Sequence, residues 1–478
     1  MAVKEFIDSL HSKKIHIVGV TGSEGSGILR FLQKNEVRNI TAHDFSTFET
    51  LEKSYKLWHK GVPKDERKRM FSQFMSDLNL VTGRFGKDYL SDILEADVIF
   101  VPQSWRLYSQ ENAPLWQAIK KGIPFFSLTR LYLELSQATV IGVTGTVGKG
   151  SVVNLIVNLL QSVGKSVYFA GNDTWMTQIA EKLDGMTNKD YLVLEISHRQ
   201  LQDGISRCPH VAVITNLFPN HQDEVGWGKY KQLKLSLLSR QTENDYVVLN
   251  YDNLELRNIT DQIKSQILYY SVKSIDKNNL SIQNMFHILK NINSDQYFEN
   301  ILAASTVANL LNIPNEEILE SLEGIQSLPA RLQLIDTVSG IKIYDDIKST
   351  TPWATMAALE RITNGIFLII GGNTKGIDYL TFFEKIKNMK GNIKKIYALP
   401  SQLSDFLKNK GLEDDYLIID NNLESALKDC FLQSQNGDSI LVSPAAAFFY
   451  TKFIKGKKSL RDIVISLPPK GRVAEARG

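Results

Sequence analysis

The chain has 478 residues, 43% hydrophobic and 22% charged, the composition of an ordinary soluble protein with room for about three cored domains. A formal net charge of +3 is too small to argue for nucleic acid or a membrane surface as partner, and two distant cysteines, Cys208 and Cys430, suggest neither a disulfide framework nor a zinc site. With neither an apolar leader nor a run long enough to span a bilayer, a cytoplasmic protein in a reducing compartment is expected.

In chain order, Lys14-Ile-His-Ile-Val-Gly19 reads as a strand that turns through Gly22 and Gly25 into a helix, and a second short strand ends at Asp44. Glycines after a first strand and an acid after a second are what a dinucleotide-type fold offers to a nucleotide diphosphate and its ribose, although G-x-x-G-x-x-G spacing equally suits a plain strand–helix turn. Thr47 to Asp92 reads as a mostly helical insertion whose charged run Lys64–Arg69 is a solvated face. Val98–Pro102 and Pro124–Ser127 read as further strands, closing a first domain at residue 136.

Thr139-Val-Ile-Gly-Val-Thr-Gly145-Thr-Val-Gly-Lys149-Gly-Ser151 is the stretch on which the rest depends. An apolar run breaks into glycines, presents one lysine and opens into a helix with its apolar face at Val152, Leu155, Ile156, Leu159 and Val163, stopping at Gly164. Gly145, Thr146, Val147, Gly148 and Gly150 can turn backbone N–H groups onto a phosphate, Lys149 reaches the outer phosphates, and Ser151 is placed for Mg²⁺. Strands Val167–Ala170, Asp190–Leu194, Val211–Thr215 and Asp245–Leu249 then end at Asn172, Glu195-Ile-Ser197, Asn216 through His221, and Asn250. Polar residues gathered at several strand carboxyl ends around a phosphate loop indicate a nucleotide-hydrolysing or nucleotide-transferring sheet. After Leu328-Pro-Ala-Arg331 a further α/β domain follows, with strands at Ile341–Tyr344, Gly365–Ile370, Lys394–Leu399 and Ser439–Ser443, and a loose polar tail at 470–478.

With those residues in place the chain resembles the Mur ligases. Gly145–Lys149, the Asn172 loop, Leu194–Ser197, Asn216–His221 and Tyr230–Lys234 are similar to the family's central domain. Arg331, Asp346-Ile-Lys348-Ser-Thr350, Gly371–Lys375 and Ser443-Pro-Ala are similar to its C-terminal domain. The Asp346-to-Thr350 element resembles the branch that adds D-glutamate to UDP-N-acetylmuramoyl-L-alanine. The resemblance implies an α/β protein of three domains: a Rossmann-like UDP-substrate domain at 1–136, a central P-loop ATPase-type domain at 137–328, and a Rossmann-like amino-acid and ATP-binding domain at 329–478. It implies an ATP-dependent amide ligase of peptidoglycan-precursor synthesis working through an acyl phosphate, with ATP and two Mg²⁺; a monomer is expected.

By the same resemblance Lys149, Glu195, His221 and Lys234 are the catalytic set. Ser151, Glu195, His221 and a carbamylated Lys234 would hold metal; Asn300, Arg331 and Asp346 would contact ATP; and Asn172, Ser197, Lys348, Thr350 and Lys375 would meet substrate. Without the family match, Glu195 could cap a helix, Lys234 could be a solvated helix lysine, and Asp346 with Lys348 could be a surface ion pair. Three departures stand out. His198-Arg199 replaces a Ser-Phe pair, Phe448-Phe449 follows Ser443-Pro-Ala where the branch has Ser-Leu, and Pro102-Gln-Ser-Trp-Arg106 stands where a Ser-Pro-Gly loop is expected. They leave open a related ligase with another amino acid or acceptor, of Mur or folylpolyglutamate type, and a nucleotide binder without turnover.

Overall fold

A computed structural model describes residues 3–171, 177–273, 289, 297–323, 325, 328–363, 365–412, 416–454 and 459–467. Asn172 and the 470–478 tail lie outside the described residues. Three sheets organise the chain. The first has the order β3-β2-β1-β4-β5, with β1 Ile15–Val18, β2 Ile40–Asp44, β3 Thr82–Phe85, β4 Val98–Phe100 and β5 Phe125–Phe126, all parallel. The second has the order β11-β10-β9-β6-β8-β7, with β6 Thr139–Thr144, β7 Val167–Ala170, β8 Tyr191–Glu195, β9 Val211–Ile214, β10 Tyr246–Asn250 and β11 Gln266–Tyr270. The third has the order β12-β13-β17-β14-β15-β16, with β12 Gln333–Val338, β13 Ile341–Asp345, β14 Ile366–Gly371, β15 Ile393–Ala398, β16 Leu417–Ile419 and β17 Ser439–Ala445. Only β12 runs antiparallel to its neighbour among these.

The central strands explain why the sequence folds this way. β1, β9, β14 and β17 are buried along their whole length, so their unbroken apolar runs fit a parallel sheet covered on both faces. The helix Lys149–Ser162 buries Val152, Val153, Leu155, Ile156, Leu159 and Leu160, each such side chain contributing about 1.5–3 kcal/mol. In the first sheet the helix Ser23–Lys34 comes so close to β1 that a Cβ on Gly25 would lie 2.3 Å from Gly19 O. The third glycine of the first turn is therefore a packing requirement.

The Thr47–Asp92 insertion contains helices Leu51–Trp58 and Lys64–Leu78, and Lys64–Glu66, Lys68 and Arg69 are exposed as expected. It also supplies β3, which the sequence did not announce. No helix among the described residues is long and apolar enough to cross a membrane.

The chain divides into two compact units. The first, Met1–Leu217, Lys231–Ile292 and Tyr297–Glu323, holds the first and second sheets. The second, Phe218–Tyr230, Asn293–Gln296 and Gly324–Gly478, holds the third, so the segment bearing His221 belongs to it. Its core includes Ile343, Phe367, Ile369, Phe431, Val442 and Phe449.

Candidate active site

β6 ends at Thr144, and the helix after it begins at Lys149 with Gly148 as its N-cap. Gly148 has φ +88°, a conformation that favours glycine, and a Cβ there would lie 2.5 Å from Asn300 Oδ1 and displace that side chain. The loop is tied to the end of β9. Asn216 accepts from Thr146 N–H through its carbonyl at 3.0 Å and from Val147 N–H through Oδ1 at 2.9 Å, while Thr215 Oγ1 donates to Val147 O at 2.6 Å. Gly148 brings no side-chain cap, so the helix presents its first-turn N–H groups and positive end to the loop. Lys149 Nζ donates to Thr146 O at 3.2 Å, and Ser151 is buried in the first helical turn.

Glu195 closes β8 in register with Val143 of β6 and is buried. Lys234, on the helix Trp227–Leu235, is only 1% exposed, which removes the reading of a solvated lysine. Its Nζ donates to Thr144 Oγ1 at 3.4 Å, and Thr144 Oγ1 in turn donates to Ile196 O at 2.8 Å. Burial pushes the Lys234 ammonium well below the ordinary lysine range; Lys149's charge pushes the same way, and Glu195 partly opposes them. The first unit thus brings Gly145–Ser151, Glu195, Lys234 and Asn300 to one sheet end.

In the second unit His221 adopts φ +54°, and its backbone N–H donates to Asn220 Oδ1 at 2.9 Å. Its Nδ1 lies 2.7 Å from Glu224 Oε1; with that proton given to the carboxylate, Nε2 carries the lone pair. The Lys375 carbonyl accepts from Gln222 and Asp223 N–H at 3.1 and 3.3 Å, so the His221 and Lys375 loops are clipped together. Asp346 is 1% exposed, not a surface group: Oδ1 accepts from Leu332 N–H at 2.9 Å and Oδ2 from Ser443 Oγ at 2.6 Å. Burial pushes its carboxyl up to about 7, with Ser349, Ser443, Leu332 and Arg331 acting against that rise. Lys348 is exposed, Thr350 is half-buried, and Lys348 N–H donates to Ala330 O at 3.1 Å.

The first unit also holds a cavity of about 260 Å³ at the carboxyl ends of β1, β2 and β4. Gly19, Thr21, Gly22, Asp44 and Pro102–Trp105 line it, so the first glycine turn faces a pocket. Asp44 Oδ2 accepts from Thr21 N–H and Oγ1 at 2.9 and 2.7 Å, and Oδ1 accepts from Ser46 N–H at 2.9 Å. Ser197 Oγ donates to Gln103 Oε1 at 2.7 Å, which commits that hydroxyl to the protein itself.

A family model for the Mur ligase middle domain matches residues 143–312, the span that carries the loop, Glu195, Lys234 and Asn300. The UDP-N-acetylmuramoylalanine--D-glutamate ligase of Listeria monocytogenes is 31% identical over 352 residues, 70% of this chain and 75% of that one. The chain belongs to the Mur ligase family. This Mur ligase is an ATP-dependent ligase. The relative of the same name from Ruminiclostridium cellulolyticum is 28% identical over 467 residues, 94% of this chain and 95% of its own length. The solved structure of a pseudomurein peptide ligase type C from Methanothermus fervidus matches at TM-score 0.55 and 17% identity, covering 95% of this chain and 99% of that one, a likeness of fold.

Several polar contacts in this Mur ligase, though not every residue that makes them, escaped the sequence. Thr144 holds Lys234, Asn216 shapes the phosphate loop, and Glu224 fixes the imidazole of His221. A carboxylate three residues after a histidine was the one available signal, and it is a weak one.

Proposed function

We propose that this ligase joins D-glutamate to UDP-N-acetylmuramoyl-L-alanine, with ATP supplying the phosphoryl group that activates the acceptor's carboxylate. The γ-phosphoryl passes to a carboxylate oxygen, the amine attacks the resulting acyl phosphate, and the C–O bond to phosphate breaks as the amide forms. The observation that carries the reading is Lys234: a lysine buried to 1% exposure, its charge opposed by burial and by Lys149. A neutral lysine amine can add carbon dioxide and become a carbamate, which an ammonium cannot do.

The donor set fits a divalent cation: Ser151 offers a hydroxyl, Glu195 a carboxylate, and carbamylated Lys234 a second carboxylate-like group. Mg²⁺, when bound, supplies the charge neutralisation that lets two anions approach. The chain's own groups do the rest. Lys149 Nζ and the N–H groups of Gly145–Ser151 hold the β- and γ-phosphates, so that developing charge meets fixed dipoles. Asn300 beside Gly148 keeps the nucleotide end of the loop in shape.

In the second unit His221 would be a metal ligand through Nε2, Arg331 an ATP contact, and Lys348, Thr350 and Lys375 the amino-acid contacts. Asp346 would act chiefly by bracing the strand ends near Arg331. Asn172 would face the acyl end, and Ser197 would act through Gln103. The three sheets fit domains at 1–136, 137–328 and 329–478.

A second reading, the same chemistry with another amino acid, is favoured by Phe448, which is 61% exposed where the branch resemblance places a serine. Phosphate release measured with ATP, UDP-N-acetylmuramoyl-L-alanine and a panel of amino acids separates the two. Release that requires D-glutamate supports the first, and release with a different amino acid alone supports the second. No release with any amino acid would falsify both.

A further inference from the structure

Trp58 and Arg199 are among the residues lining the first-unit cavity that belong to neither its glycine turn nor its strand ends. Trp58 is the last residue of the helix Leu51–Trp58 and is 44% exposed; with Phe45 just past β2, 58% exposed, it gives the cavity an aromatic wall on the β2 side. Arg199 comes from the second sheet, in the turn that follows Glu195.

That turn is fastened on both sides of Arg199. Ser197 Oγ donates to Gln103 Oε1 at 2.7 Å, and Gln200 Nε2 donates to Glu24 Oε1 at 3.2 Å. Asp203 accepts from Trp105 Nε1 at 3.2 Å and from Arg106 Nη2 at 2.6 Å. Arg199 is therefore presented to the cavity by a braced turn.

Charge decides what the cavity can hold. Arg199 is the one lysine or arginine among its described lining residues, against two acids, Glu24 and Asp44. Both acids are occupied by protein donors: Glu24 Oε2 takes Gln103 N–H at 2.7 Å and Oε1 takes Gln200, while Asp44 takes Thr21 and Ser46. The helix Ser23–Lys34 opens on the cavity with Gly22 as an N-cap that makes no side-chain bond, but a helix end offers only about half a charge. A diphosphate linkage carries two negative charges, so a guanidinium beside that helix end adds a charge-assisted contact that the backbone alone does not give. The strand order reverses between β2-β1 and β4 at this point, where an open parallel sheet accepts a nucleotide.

We infer that Arg199 is the cation that receives the diphosphate of a nucleoside diphosphate in this cavity, and that Trp58 with Phe45 is the platform on which its base stacks. The inference rests on the UDP-linked substrate proposed above and adds the residues that select it. Arg199 stands where the family resemblance has a phenylalanine, and Trp58 belongs to the Thr47–Asp92 helical insertion.

Titration calorimetry of the full chain with UDP and with uridine tests it. Arg199→Gln is expected to weaken UDP about tenfold or more while leaving uridine unchanged, because only the charge-assisted contact is lost. Trp58→Ala is expected to weaken both ligands alike, by about tenfold. Arg199→Lys should recover part of the UDP loss, and all three variants should bind ATP and unfold as the parent does. Wild-type UDP affinity in Arg199→Gln, or an equal loss of UDP and uridine there, overturns the diphosphate assignment. Unchanged affinity in Trp58→Ala overturns the platform. A parent chain that binds no UDP overturns the UDP-linked reading itself, which is a different result from UDP binding that ignores both variants.

Discussion

Lys234 at the end of the second sheet and His16 inside the first are both almost fully buried, and burial pushes each toward its neutral form. Their neighbours differ. Lys234 has a second ammonium, Lys149, pressing against its charge, with Glu195 acting the other way. His16 Nδ1 lies 2.8 Å from His43 Nε2, and the Nδ1 of His43 meets the Tyr89 carbonyl, so the pair is satisfied as two neutral rings. The contrast recurs in the second unit, where Asp346 is braced by Leu332 N–H and Ser443 Oγ. Buried groups that satisfy one another hold a fold together. Buried charges set against each other mark a place built for a ligand.

Substitution breaks the comparison most directly at Lys149. Lys149→Ala is expected to cut kcat for phosphate release about 10³-fold, since it removes the donor aimed at the transferring group. The unfolding midpoint should hold or rise, because one of two opposed cations is gone. A large loss of stability would make Lys149 structural and the contrast false. Lys234→Ala comes next, with turnover down at least about a hundredfold. Added acetate or another short carboxylate should restore part of it by taking the place of the carbamate. Full activity in this variant would remove the carbamate from the reading.

The same contrast governs what could be read ahead of the structure. The loop Gly145–Ser151 is contiguous, so strand end, turn, lysine and first helical turn all declare themselves in one stretch. Buried central strands were equally plain as apolar runs. The unannounced strands β3, β11, β12 and β16 all lie at sheet edges. An edge strand has one side and often one face in water, so Thr82-Gly-Arg-Phe85 and Gln333–Val338 carry too many polar residues to stand out. Side-chain convergence was out of reach for another reason: Thr144 meeting Lys234, or Arg199 entering a cavity of the first sheet, depends on packing between segments far apart in sequence. Asp346 shows the cost, since spacing alone made it a candidate surface group and the fold made it a buried brace.

The smallest effect is also the one that tests the structural half of the comparison. His16 is pushed down to about 4 from 6.5, by burial first and His43 second, with Lys14 and Arg84 adding to the fall and Asp92 opposing it. His43 is lowered too, by burial and Arg84, against Tyr89 and Asp92. A histidine whose folded pKa lies below its unfolded value binds fewer protons when folded. Its stabilising contribution is therefore complete above pH 6.5 and drains away as pH falls toward 4, by about 3 kcal/mol for His16 at most. Denaturant unfolding followed between pH 7 and pH 4 should show that decline, and His16→Asn, which keeps a donor near the Nδ1 position, should flatten it. Turnover near neutral pH should be the same in both proteins, because His16 lies in the fold's interior and not among the groups that meet ATP. An acid slope identical in parent and variant would mean that the histidine pair carries its protons in the folded state, and that the first sheet too buries charge.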